Sequence, residues 1–445
     1  MTAPKTWFNG LAALGAALAM AVAFAPAALG QYDQPKSRKE RAAEEEAETS
    51  EAPKADYSKD FRKLAGPVQE AVNEKKWAEV LAALPQLEAI PEPTRDDKKA
   101  IATWKLQATQ GVGDQDAFAA AIESFLAEGY ADPENIGAMH RQLAAHYSTK
   151  KDNAKTLEHF QKFVEATPDV QPDELETLGR LQLQAGQNAE SCQTLGRAIE
   201  QLKAKNEKPK EMWYQLRDRC FIELKDDASR LANLEALVAE YPDKEYYSRI
   251  VAIYQAQTND DRVVMLNAYR VAATDPQGGL ATVGGYINYA DTAMVAGSPG
   301  EAARALERGM KEGIVPSAGT NQQLLGQAKT AIANDKKSLP NESAAAAKNA
   351  KGEVDVKVGL GFYSTGDYAK AAEAIRRGIA KGGVERLDDA NLLLGASLLE
   401  LGKTDEARAA FEAAKAAAPA GGHLGRIADL WLARTERGGA APAAG

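Results

Sequence analysis

Few side chains in this chain can do chemistry, and their spacing restricts what they can do. Cys192 and Cys220 are open to two readings. In an oxidising compartment they would pair across adjacent antiparallel helices; otherwise they serve as two buried thiols acting as small apolar residues. The four histidines, His140, His146, His159 and His423, show neither a His-Glu-x-x-His arrangement nor a cysteine companion at ligand spacing. His140 falls on an apolar-periodic position and the other three read as surface or groove residues, so no metal ion is expected. Gly402-Lys403-Thr404 has the last letters of a phosphate-binding loop. That motif requires a glycine at position 397, which is Ser397, and a preceding strand. Gly359 and Gly361 lack the third glycine of a dinucleotide fingerprint, and no Gly-x-Ser-x-Gly elbow is present. Acidic residues are spaced as solvated helix faces. These features predict a protein that is not an enzyme and takes no cofactor.

Residues suited to binding are more plentiful. Of the fourteen tyrosines, half lie between Tyr241 and Tyr289, with Trp213-Tyr214 just before them. Aromatic rings make interface anchors because they bury a large area at low entropic cost. The candidates for partner contact are Trp213, Tyr214, Tyr246 and Tyr247, with Tyr214 and Tyr247, as second members of adjacent pairs, expected to be exposed. Arg141 and Arg180 join them on the faces of first helices.

The elements that must carry these residues are helical. From Phe61 onward apolar residues recur at three and four, the signature of amphipathic helices, with no alternating strand segment. The helices are short and come in pairs. The clearest unit runs Asn391, Leu394, Gly395, Leu398, Ala407, Phe411 and Pro419; the unit before it runs Asp355, Val358, Gly359, Phe362, Ala371 and Ile375. Further units run His140, Leu143, Ala144, Tyr147, Thr156, Phe160 and Pro168, then Leu175, Leu178, Gly179, Gln182, Ser191 and Leu195. Small residues such as Gly179, Gly359, Ala371, Gly395 and Ala407 sit where paired helices cross, since a larger side chain would force the axes apart from about 8 to 10 Å. Phe411 fills the seam. Turns between paired helices are predicted near Lys75, Gly113, Lys151, Gly186, Leu224, Asn259, Gly297, Ala333, Gly366 and Gly402, which gives about ten pairs. A capping helix follows near Gly421 to Arg434.

This pattern resembles the tetratricopeptide repeat family over residues 61–437, most strongly at 138–205 and 353–419. The resemblance implies an all-α fold, a right-handed α-solenoid superhelix of antiparallel helix pairs, whose concave face binds a peptide or protein partner. The first position of the repeat departs from the family's tryptophan-type residue. No Lys/Asn/Arg set matches the clamp with which some members grip a carboxyl-terminal peptide. The breaker cluster Asp275-Pro276-Gln277-Gly278-Gly279 separates an expected stack at 61–275 from a second, with the cap, at 276–437. It reads equally as a hinge between stacks or as a longer loop in a continuous array.

The ends of the chain suggest where it works. Lys5, an apolar run from Leu11 to Ala25, and small residues ending at Gly30 read as a secretory signal peptide over 1–30, cleaved before Gln31. Fifteen Ala-rich residues fall short of the roughly 20 a membrane span needs, so no stable membrane insertion is expected after cleavage. Residues 31–60 form a charged flexible tether too poor in apolar side chains to order, and 438–445 a disordered tail. Loss of Lys5 takes the formal net charge from -9 to about -10, and an acidic body without a basic stripe is a poor nucleic-acid ligand. The expected location is the periplasm, or outside the cell. Resemblance to exported repeat proteins suggests TonB-type or outer-membrane assembly machinery as partners, with an envelope enzyme's scaffold subunit or a self-assembling element as alternative roles.

Overall fold

The computed structural model describes residues 55–258 and 261–437. The predicted signal peptide, most of the tether and the tail lie outside these residues. The described residues form twenty α-helices and no strand, so the expected all-α architecture of helix pairs is the observed one. The chain divides into two units, between Gln187 and Asn188.

The first unit holds α1 (Lys59–Asn73), α2 (Trp77–Glu88), α3 (Arg95–Val112), α4 (Gln115–Ala127), α5 (Pro133–Thr149), α6 (Asn153–Ala166) and α7 (Pro172–Gln184). Each helix packs on the next. The start of α3 is fixed by a capping box, in which Thr94 accepts from the Asp97 amide and Asp97 accepts from the Thr94 amide, satisfying two orphan donors. Phe61, Leu84, Leu87, Ile101 and Trp104 form one buried cluster, and Phe125, Tyr130, Met139 and Leu143 belong to the next.

The second unit holds α8 (Asn188–Ala204), α9 (Glu211–Leu224), α10 (Asp227–Glu240), α11 (Lys244–Thr258), α12 (Arg262–Thr274), α13 (Val283–Val295), α14 (Pro299–Lys311), α15 (Thr320–Lys348), α16 (Gly352–Thr365), α17 (Tyr368–Lys381), α18 (Leu387–Glu400), α19 (Thr404–Ala417) and α20 (His423–Glu436). Cys192 on α8 and Cys220 on α9 are joined in a disulfide, with Cα atoms 5.8 Å apart.

Left-handed turn residues fall at Lys75, Gly113, Lys151, Gly186, Lys225, Gly297, Gly366 and Gly402, at or beside the predicted turns. The turn near Asn259 lies outside the described residues. Ala333 breaks the series: no turn forms there, and a single 29-residue helix, α15, runs through it. The segment has no glycine after Gly326 and is rich in alanine, a composition that favours continued helix in spite of Asn334 and Pro340. One expected pair is thereby replaced by an unpaired helix that buries only Leu325, Ala328, Leu339 and Ala346. Because α14 also packs directly on α16, α15 is an insertion beside the array.

The small residues lie where the repeat pattern requires. Gly179, Gly359, Ala371, Gly395, Ala407 and Phe411 are all buried. A methyl added at Gly395 would sit 2.6 Å from Phe411 Cδ1, and one at Gly359 would press into Ile375. The cluster at Asp275–Gly279, expected to separate two stacks, lies inside the second unit and is tied down there. Tyr247 donates to Asp275 at 2.9 Å and Arg308 to the Gly278 carbonyl at 2.7 Å.

Gly395→Leu should lower unfolding free energy by about 2 to 3 kcal/mol through overpacking, measured by urea titration; an unchanged midpoint would mean the crossing is looser than described. Replacing Cys192 and Cys220 together by Ala should remove about 3 to 4 kcal/mol by the loop-entropy model, read as a lower melting temperature that reductant no longer affects.

Candidate functional site

The aromatic binding candidates are core residues. Trp213, Tyr214 and Tyr247 are at most 1% exposed and Tyr246 is buried, which corrects the expectation that Tyr214 and Tyr247 face a partner. The reason is a clamp that recurs in three pairs. Tyr214 near the start of α9 donates to Glu240 at the end of α10 (2.7 Å), Tyr247 on α11 to Asp275 after α12 (2.9 Å), and Tyr286 on α13 to Glu312 after α14 (2.8 Å). In an antiparallel pair the start of one helix lies beside the end of its partner, so each hydroxyl finds a carboxylate there. Burial, helped by Glu312, pushes the Tyr286 hydroxyl up to about 12. The acid lies 26 or 28 positions after its tyrosine in each of the three. Tyr246 also bonds to a carboxylate, that of Glu211.

Arg141 and Arg180 lie on α5 and α7 in the first unit, half-exposed. Arg141 pairs with Glu174 at 3.1 Å and its guanidinium lies 5.3 Å from the Phe163 ring centre; Arg180 pairs with Glu176. Both keep an accessible edge, with side chains 42% and 39% exposed.

In the second unit the inner surface is filled by the chain itself. Helix α18 is buried from Ala390 through Leu399, and α20 packs against α10, α12, α18 and α19. Arg426 forks onto Glu235 of α10, with its closer contact at 2.6 Å. Arg434 reaches Thr274 at 2.7 Å, and Arg437 reaches Asp275 at 2.6 Å and the Val238 carbonyl at 2.9 Å. Trp431 stacks on Phe411 with ring centres 5.0 Å apart. The expected capping helix thus also joins the end of the unit to its earlier helices.

Between α12 and α14 lies a buried ion pair. Arg270 and Glu301 are each 1% exposed and meet through two bonds of 2.8 Å. Asn267, Tyr289 and Ser298 occupy the remaining polar positions, and the Arg270 guanidinium sits 5.2 Å from the Tyr363 ring centre. Burial works against both charges. Their mutual attraction prevails, holding Arg270 above and Glu301 below their ordinary values. Asn267 extends the network to Asp389 on α18 at 2.6 Å.

A second polar cluster lies in the first unit. His159, expected at the surface, is buried at 7% exposure, and its Nδ1 lies 3.1 Å from His140 Nδ1. The ring stacks on Tyr147, whose hydroxyl donates to Glu123 at 2.6 Å and accepts from Lys155 at 2.8 Å. Glu123 Oε1 lies 3.7 Å from His159 Nε2. Burial lowers both histidine pKa values, and for His140 the neighbouring His159 adds to the effect.

No protein-family model and no curated relative matches the sequence. Among solved structures, a tetratricopeptide repeat protein from Parabacteroides merdae is similar at 13% identity and a TM-score of 0.27, covering 67% of this chain and 99% of that one. The TPR domain of P58(IPK) is similar at 13% identity and a TM-score of 0.22, covering 85% and 98%. A structure of Naa15/Naa10 bound to HypK-THB follows at 14% identity and a TM-score of 0.26, covering 79% and 52%. The assignment of helix pairs stands on the packing described above.

Arg270→Met should lower stability by about 3 to 5 kcal/mol, because Glu301 is left buried without its partner; denaturant unfolding measures it. Folded-state pKa values lowered from 6.5 mean that the unfolded chain binds more protons just below that pH. Stability should therefore be full above about pH 6.5 and fall as pH drops toward the lower folded values. Melting curves on either side of that pH, compared with a His140→Gln, His159→Gln double variant, test this. Equal slopes would exclude the pair as the source.

Proposed function

We propose that this chain is an exported scaffold, not an enzyme, which holds a peptide or protein partner on its helix pairs within a periplasmic envelope complex. The observation that carries the reading is the contrast between the units. The inner face of the second unit is occupied by α18 and α20. In the first unit, α5 and α7 present Arg141 and Arg180 half-exposed beside Glu174 and Glu176.

A row of paired but accessible charges on consecutive first helices suits recognition of a polar or acidic segment. Rim charges of this kind raise the association rate and select partners more than they add affinity. The Cys192–Cys220 bridge supports an oxidising compartment, in keeping with the leader read from residues 1–30. No helix among the described residues is long and apolar enough to cross a membrane.

Two measurements test the proposal. Amino-terminal sequencing of the chain from envelope fractions should begin at Gln31; an intact Met1 would refute cleavage. Partner capture from envelope extracts should fall about tenfold or more with Arg141→Glu plus Arg180→Glu, a charge reversal at the rim, and stay unchanged with Tyr246→Phe. Equal capture by all three proteins would remove the first unit as the binding face.

A further inference from the structure

The His140–His159 pair has a geometry that its packing role does not require. We propose that these two imidazoles form a binding site for a divalent transition ion of the imidazole-preferring class, such as Cu2+ or Zn2+, with the charge of Glu123 near His159 supporting it. The two Nδ1 atoms converge at 3.1 Å. Two nitrogens each about 2.0 to 2.1 Å from one ion at that separation subtend about 100°, between the square and tetrahedral values. The far nitrogen of His159 faces Glu123 at 3.7 Å, and Glu123 is itself held by the Tyr147 hydroxyl at 2.6 Å. At that distance there is no hydrogen bond, and it is the charge of Glu123 that favours the tautomer with N–H on the far nitrogen, leaving Nδ1 free to ligate.

The surroundings fit the same reading. Both rings lie on paired helices, His140 on α5 and His159 on α6, so the distance between them is set by packing. His159 is buried while His140 is half-buried, which gives an ion access from the His140 side. Lys162 is tied to Glu158 at 2.7 Å and Lys155 to Tyr147. Binding requires no redox step. The ion replaces the hydrogen between the two Nδ1 atoms, and His140 carries its N–H on Nε2 instead. Among the described residues no three His, Cys, Asp or Glu side chains converge on one point, so the bound ion would keep open positions for water or for a donor from a partner. Imidazole ligation favours Cu2+ over Zn2+ and both over Mg2+ or Ca2+.

The experiment is calorimetric titration of the untagged, metal-stripped full chain with CuCl2 and ZnCl2, each alone. One equivalent should bind, with affinity at least tenfold weaker in His140→Gln and in His159→Gln, and about tenfold weaker in Glu123→Gln. His146→Gln and His423→Gln should leave it unchanged. In the nitrogen NMR spectrum Zn2+ should shift the Nδ1 resonances of both His140 and His159. Absence of binding overturns the proposal, as does equal binding by wild type and His140→Gln. If His159→Gln fails to fold by melting analysis, the half-buried His140→Gln carries the test.

Discussion

Paired helices in this protein approach closely because glycine stands where a bulky side chain arrives from the other helix. Gly395 faces Phe411, Gly359 faces Ile375, Gly111 faces Trp77, and Gly137 lies against Thr167. At Gly300 and Ser364, which belong to α14 and α16, backbone meets backbone. Removing the Cβ at such points lets the seam residue sink between the axes, and dispersion contacts accumulate only at that range. Once closed, each pair still has an apolar side that it cannot cover, so neighbouring pairs must stack. In the second unit the last pair has no successor, and α20 covers it while also packing on α10 and α12.

Polar groups inside the stack set register more than they supply stability. A buried ion pair such as Arg270–Glu301 gains little over a well-packed apolar pair, yet tolerates no partner but its own. Its bonds to Asn267, Tyr289 and Ser298 fix how α12, α13 and α14 slide against one another. The tyrosine–carboxylate clamps act likewise at one end of three pairs. A one-turn slip at Tyr247 would separate it from the buried carboxylate of Asp275, at a desolvation penalty.

The same stacking decides which surfaces remain available. Packing of α20 on α10, α12, α18 and α19 places Trp431, Leu424 and Ile427 in the core of the second unit. The first unit retains half-exposed charges on α5 and α7. There the buried His159 lies against Tyr147 and near Glu123, with the half-buried His140 beside it.

Apolar periodicity, the glycines and alanines of the crossings, and the residues at the turns determined by themselves that the chain is a series of helix pairs, because each acts within some forty residues. Gly395 and Phe411 could be matched from spacing alone, and so could the turn at Gly402. What depends on contacts between distant segments was not legible. Nothing local indicates that Arg426 and Glu235 meet, or that Tyr247 faces inward. The sequence left the pairing of Cys192 with Cys220 as one of two readings, and the packing of α8 on α9 chose between them. Only the tertiary structure decided burial, because an aromatic ring on a helix suits a seam and a surface equally until the next pair is laid against it.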